Sequence, residues 1–351
     1  METPAQKLVG LALPDGWEVR SRAAKAGAET GIFYSEGYIV EKAGKKAFLK
    51  ATDFTKALAE GADPAALLQF FTAAFVYEKD LLCKYRDRGS GKAVAVTCDG
   101  KVKVDDSITG TVQYLVFEHD DKDPGSLREL MIDIDYAIIL RVLHNITTGL
   151  SQLYKHGIAR QPITPSNVSI FLQMIARIGG FGTPSAKGVM SLMEQAGIIG
   201  DKAYASPELL YGVDSSTWAK GKLGRDAYLL GSMAVFFITG LSMTGLLAKH
   251  LEDRHHWTRW GGSYKEVLPH IQKAFGQSIV VLESELSKRP AFKFKAELVR
   301  IVRELCNPCP DLRGYPEGFA GVQDQHALNK YIAEFDLMAG QLEKGFFPTT
   351  H

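Results

Sequence analysis

A lysine and a glutamate are the first residues here whose types and positions suggest chemistry. Lys50 closes the strand-like run Ala47-Phe48-Leu49-Lys50, and Glu78 lies in the helical pattern that follows it. A cation on a strand and a carboxylate on the next helix can join those elements, whereas the same pair left on a surface contributes only roughly 0–1 kcal/mol. Three further groups have chemical overtones. Cys306-Asn307-Pro308-Cys309 has the CxxC spacing of redox and zinc sites, but no second CxxC or His pair accompanies it, so core packing is expected. Gly89-Ser90-Gly91-Lys92 is like a phosphate-binding loop, yet the leading glycine and a Ser or Thr after Lys92 are missing, which leaves a loop before a strand. His250, His255 and His256 beside Trp257 and Trp260 read as a polar loop after a long helix rather than a metal site.

The elements that would position these residues change character along the chain. Period-two stretches at 31–41, 46–52, 93–98, 101–104 and 112–118, with turns at Ala43-Gly44 and Asp99-Gly100, predict an antiparallel sheet. One helix interrupts them, from Pro64 to Arg86, with the proline suited to a first turn. Beyond about Leu127, apolar residues recur at helical spacing over 133–155, 225–239, 295–305 and 326–344, with short strand-like pieces near Val168 and Ala176. The expected fold class is α+β, with a small antiparallel sheet lobe carrying one helix and a larger, mainly helical lobe. The corresponding division is an N-terminal extension over 1–28, the sheet lobe over 29–119, and the helical lobe with the C-terminal helices over 120–351.

Composition narrows the setting. Forty-one Lys and Arg against 40 Asp and Glu leave a net charge of +1, with no general field to hold nucleic acid or an anionic membrane. Four cysteines are too few for a disulfide scaffold and point to a reducing cytoplasm, and the apolar run from Leu8 to Leu13 is too short for a secretory signal. Nothing charged lies between Asp226 and Lys249, a run long enough to span a bilayer. Gly231, Gly240 and Gly245, its Ser and Thr residues, and a helix end at Thr239-Gly240 favour a buried core segment and no membrane span.

From about Gly31 to Arg313 the chain resembles the protein kinase superfamily. Ala47 to Lys50 is similar to the β3 lysine strand, Glu78 is placed like the αC glutamate, and Tyr114 to Asp120 is similar to the strand entering the hinge, with Phe117 as gatekeeper and Glu118 beside it. His156 to Phe171 resembles a catalytic loop, with Asn167 at the metal-binding asparagine, and Arg177 to Gly182 occupies the place of the KIGDFG run, which puts Phe181 at the phenylalanine of DFG. Ser206-Pro207-Glu208 matches the APE region, Asp226 the start of the central αF helix, and Arg313 the arginine that pairs with the APE glutamate. The resemblance implies a two-lobed kinase-like fold and a buried Glu208–Arg313 pair.

The departures fall on the reacting centre. Arg160-Gln161-Pro162 stands in place of HRD, so proline replaces the aspartate that accepts the substrate hydroxyl's proton. Gly180-Phe181-Gly182 stands in place of DFG, so the carboxylate that holds Mg²⁺ on the phosphates is reduced to a hydrogen atom. Thr164 replaces the catalytic-loop lysine, and no acidic residue follows Gly180 until Glu194, so only a carboxylate folding in from elsewhere, such as Glu36, would substitute. In the implied adenine pocket Phe48 stands where the family has a roofing alanine and Ser169 where it has a floor leucine. The ring is expected in the cleft between Val40 and Ser169, blocking the base.

The resemblance, read with these losses, implies a pseudokinase with no catalytic residues and no required cofactor, ATP and Mg²⁺ binding weakly at most. Its partner is expected to be another protein: an active kinase, a phosphatase or an assembly component. The rivals are a weak Ser/Thr kinase or other nucleotide-using transferase, kept alive by Lys50, Glu78 and Asn167, and a nucleotide-sensing switch without turnover. Thr183, Ser185 and Ser191 are hydroxyls where an activation segment would be modified.

Overall fold

The structure is a computed structural model that describes residues 2–23, 35–55, 63–86, 96–118, 135–161, 163–165, 168–171, 175–178, 183–187, 202–213, 218–289, 292–316 and 325–346. Its fold is α+β. Five antiparallel strands, β1 (Glu18–Arg22), β2 (Ser35–Lys42), β3 (Lys45–Thr52), β4 (Val96–Lys103) and β5 (Thr111–Glu118), form one sheet in the order β1-β2-β3-β5-β4. The β2–β3 hairpin turns at Ala43-Gly44, with both residues at positive φ (49° and 75°), as a two-residue turn matched to strand twist requires. The number of strands is the expected one, but their composition differs. Asp99-Gly100 does not turn. Both residues sit within β4, where Gly100 pairs with Tyr114 and a Cβ on it would come within 2.4 Å of the tyrosine hydroxyl, so this glycine serves a close approach. The fifth strand, β1, comes from the segment read as an N-terminal extension, with Val19 buried as its only apolar residue.

The sheet has two different faces. Tyr38, Val40, Ala47, Leu49, Ala51, Val112, Tyr114 and Val116 are buried on the outer face under Ala5, Leu8, Leu13, Trp17 and Val19 of the N-terminal segment. The inner face turns Leu115 and Phe117 toward helix α1 (Pro64–Arg86) and into a core continuous with the remaining helices.

That larger core is organised by α2 (Tyr136–Lys155) and α4 (Gly224–Thr239). Asp135 caps α2 by accepting from the Ala137 amide at 2.8 Å. Gly240 ends α4 in the left-handed region, and α5 (Met243–His250) leaves at 77° to it. The uncharged run is therefore two buried helices, and among the described residues no single helix is long and apolar enough to cross a membrane. The short α3 (Pro207–Leu210) precedes them, and α6 (Tyr264–Ser287), α7 (Lys295–Leu305) and α8 (Asn329–Phe346) follow. The 24-residue α6 has no counterpart among the expected helices because Pro269 interrupts its pattern near the start, where a proline ordinarily breaks a helix. Its Ser263–Glu266 capping box secures that end. Arg141 of α2 fastens α8 through Glu343 at 2.7 and 2.9 Å and Asp336 at 2.6 Å.

Where α4 meets the end of α7, Gly231 is required. A Cβ there would lie 2.5 Å from Cys306 Sγ and 2.8 Å from Leu305 Cβ. Gly231→Ala is therefore expected to cost about 1–3 kcal/mol through overpacking, read as a lower denaturation midpoint at unchanged m-value. A variant as stable as the parent would show that these helices separate freely.

Candidate functional site

Strand alternation decides what the inner face presents. With Ala47, Leu49 and Ala51 in the outer core, Phe48 and Lys50 of β3 must point inward. Helix α1 turns Phe75, Glu78 and Leu82 toward them at helical spacing, and all three are buried. Lys50 Nζ donates to Glu78 Oε1 at 2.9 Å and to Oε2 at 3.2 Å, with side chains only 15% and 4% exposed. The pair thus bridges sheet and helix in a largely dry setting, where it orients α1 against β3 far more firmly than an exposed pair would.

Phe48 is half-buried beside this pair. It is registered with Ile39 on one side and Phe117 on the other, and its ring lies 6.4 Å from the Phe117 ring, tilted at 43°. Its far edge covers Gly37, where a Cβ would come within 3.0 Å of the phenyl carbons. Nothing in the sequence reading singled out Gly37 for this role; its bare backbone makes room for the ring.

Two expectations about this face are corrected. Val40 does not bound a pocket with Phe48, because it is fully buried on the outer face, and the β2 residue sharing Phe48's face is Ile39. A shift of one residue along a strand exchanges its faces. Glu36 likewise lies on the outer face, registered with Ala51, and accepts from Gln6 Nε2 at 2.9 Å, so it supplies no carboxylate beside Lys50. Phe117 is buried and Glu118 exposed at the end of β5.

Below the sheet, β7 (Val168–Phe171) pairs with β8 (Ile175–Ile178), placing Ser169 opposite Arg177, while Val168 and Ala176 join the same core as Leu115 and Phe117. The side chain of Ser169 lies outside the described residues, as do Gly31, Gly89 to Lys92, Pro162, Asn167, Gly180, Phe181 and Ser191. The flanking backbone is described. Strand β6 (Ile158–Gln161) pairs with β9 (Thr183–Ala186) and sets Gln161 opposite Thr183 at one end of the ladder. A π-helical turn over Trp218–Leu223 packs on β6 and carries Lys222, a residue the sequence reading did not single out. Burial pulls its ammonium down to about 8, assisted by Arg225 and opposed by Asp226. Asp226 itself is completely buried in the first turn of α4.

The second ion pair lies deeper. Arg313 donates to Glu208 through both terminal nitrogens at 2.7 Å, to the Asn307 carbonyl at 2.9 Å and to the Gly224 carbonyl at 3.3 Å. Ser206 Oγ donates to Glu208 at 2.7 Å, and the guanidinium lies 5.1 Å over the Tyr228 ring. The expected bidentate pair is thus present and almost fully excluded from water. It ties α3 to the turn after α7 and to the start of α4. Burial alone would raise the Glu208 carboxyl, but Arg313 and Ser206 outweigh it and hold it below its ordinary range.

The other groups lack comparable chemistry. Cys306 is buried, its thiol raised by desolvation and bonded to the Tyr228 carbonyl at 3.5 Å, and Cys309 is half-buried, both unbridged. His255 departs from the polar-loop expectation, since it is 5% exposed and stacks on His270 at 3.6 Å. Among the described residues, no three His, Cys, Asp or Glu side chains are placed to share a metal ion. Compared with known proteins, the chain matches no family model and no curated protein.

Proposed function

We propose that this chain is a two-lobed, kinase-like protein without phosphoryl-transfer activity, a pseudokinase that works in the cytoplasm as a protein-binding scaffold or allosteric regulator of another protein. The observation that carries the reading is the survival of two framework ion pairs, Lys50–Glu78 at 2.9 Å and Glu208–Arg313 at 2.7 Å, in a chain with Pro162 and Gly180 at the reacting positions. Phosphoryl transfer depends on a base to orient the attacking hydroxyl and a metal to neutralise the phosphates. A proline side chain cannot accept a proton, and a glycine binds no cation. With chemistry removed and framework retained, what remains useful is shape: a sheet, a helix locked to it and a helical body that a partner can recognise. Labelled phosphate transfer by the purified protein with Mg²⁺ is expected to stay at background and to be unchanged by Lys50→Ala. Robust Mg²⁺-dependent transfer that Lys50→Ala abolishes would sink the reading.

The second reading, a nucleotide-using transferase, rests on the retained Lys50–Glu78 pair, which in a working site would hold a nucleotide's phosphates. It requires a carboxylate to approach Lys50, and Glu36 is committed to the opposite face of the sheet. Thermal stabilisation by ATP that depends on Mg²⁺ would favour it over the scaffold.

A further inference from the structure

The outer face of the sheet is closed by the chain's own first residues. Ala5 and Leu8 are buried against it, the Tyr38 hydroxyl donates to the Ala5 carbonyl at 2.5 Å, and Gln6 holds Glu36 at 2.9 Å. At the start of this strap, Thr3 Oγ1 donates to Asp53 Oδ2 at 2.5 Å. Asp53 is 2% exposed, and its other oxygen accepts from the Thr55 amide at 3.1 Å. A single hydroxyl proton, offered to a buried carboxylate, therefore latches the strap to the segment leaving β3. Thr3 is followed by Pro4, and its own backbone is extended (φ −75°, ψ 162°), the conformation a following proline favours.

We propose that Thr3 is a phosphoacceptor and that its phosphorylation unlatches residues 2–8 from the sheet. A proline-directed protein kinase, separate from this chain, would supply a nucleoside triphosphate. Thr3 Oγ attacks the γ-phosphorus, the new O–P bond forms as the bond to the nucleoside diphosphate breaks, and the hydroxyl proton passes to that kinase's general base. The product has lost the proton it gave Asp53 and carries close to two negative charges against a desolvated carboxylate. Hydrogen bonding turns into like-charge repulsion at the contact between Thr3 and Asp53. Arg22, the cation on β1 that reaches this segment, is already engaged by Glu2 at 3.2 Å and by the Gln6 carbonyl. In the latched state the hydroxyl is occupied, so the kinase acts on the detached state, and the product cannot latch again. Modification thus shifts the population between the latched and detached states. This inference is independent of the kinase-like reading.

The test treats the 351-residue protein with a proline-directed kinase and ATP, locates phosphate by mass spectrometry, and compares amide hydrogen exchange of unmodified, phosphorylated and Thr3→Val proteins. The expected result is phosphate on Thr3 and exchange about tenfold faster or more over residues 4–8 and 35–41, with α2 unchanged and Thr3→Val showing a smaller increase. Phosphate on Thr3 with unchanged exchange would overturn the latch, as would an equal increase in Thr3→Val. A peptide of residues 1–12 that is modified while the folded chain is not would overturn the acceptor assignment.

Discussion

Arg313→Ala should lower the unfolding free energy by about 3–5 kcal/mol, because it leaves the Glu208 carboxylate buried without its partner. Arg313 is 0% exposed and also serves the Asn307 and Gly224 carbonyls, so no solvent reaches in to replace it cheaply. The double variant Glu208→Leu with Arg313→Met removes both charges at similar volume and should be less destabilised than either single charge deletion, which a double-mutant cycle would read as strong coupling. The pH dependence has a definite sign. A carboxyl held below its ordinary value of 4.5 contributes stability that is fully present above that value and lost as pH falls through its lower folded value. In Arg313→Ala burial instead raises the stranded carboxyl, so the gap between the two proteins should be widest where that carboxyl is ionised, begin to shrink above pH 4.5 as it takes up a proton, and shrink further below it. Equal stability of the two proteins at pH 7, measured by denaturant unfolding, would mean that the pair contributes nothing.

Phe48→Ala should make the protein's stability respond to ATP, with no such response expected in the parent. The phenyl ring occupies the inner face beside Lys50, leaning over Gly37 and toward Phe117, on the surface where a nucleotide base would stack in a kinase-like site. Removing it opens that surface while leaving Lys50 and its partner Glu78 in place. At ATP concentrations about a hundredfold above the dissociation constant, the variant should gain about 2.7 kcal/mol of stability that the parent does not. The comparison is made for each protein with and without ATP, so the intrinsic cost of losing the ring cancels. Micromolar affinity in the parent, with no gain on Phe48→Ala, would show that the ring never obstructed the face.

Much of the fold is legible locally. The helices Pro64–Arg86 and Lys295–Leu305 run between the residues their periodicity and end signals mark, and Ala43-Gly44 turns as a two-residue hairpin must. These features depend on interactions within a few residues, which the chain states directly. The ordering of motifs by family resemblance also places Lys50 with Glu78 and Glu208 with Arg313, although the partners lie 28 and 105 residues apart.

Other features depend on pairings that no local pattern contains. Asp99-Gly100 has turn composition, yet the ladder with β5 carries it straight through, and the glycine answers to Tyr114 instead. The strand Glu18–Arg22 has one buried apolar residue and becomes a strand by hydrogen bonding to β2. Which residue of β2 faces Phe48 turns on a register of one position, and that register assigns Ile39 to the inner face while sending Val40 and Glu36 outward. By itself the amino-acid sequence determined which residues are available, with proline at 162 and glycine at 180, and the local helices and turns. The tertiary structure alone decided which side chains meet, because strand register, a helix continuing past Pro269 and the space over Gly37 are set by long-range packing.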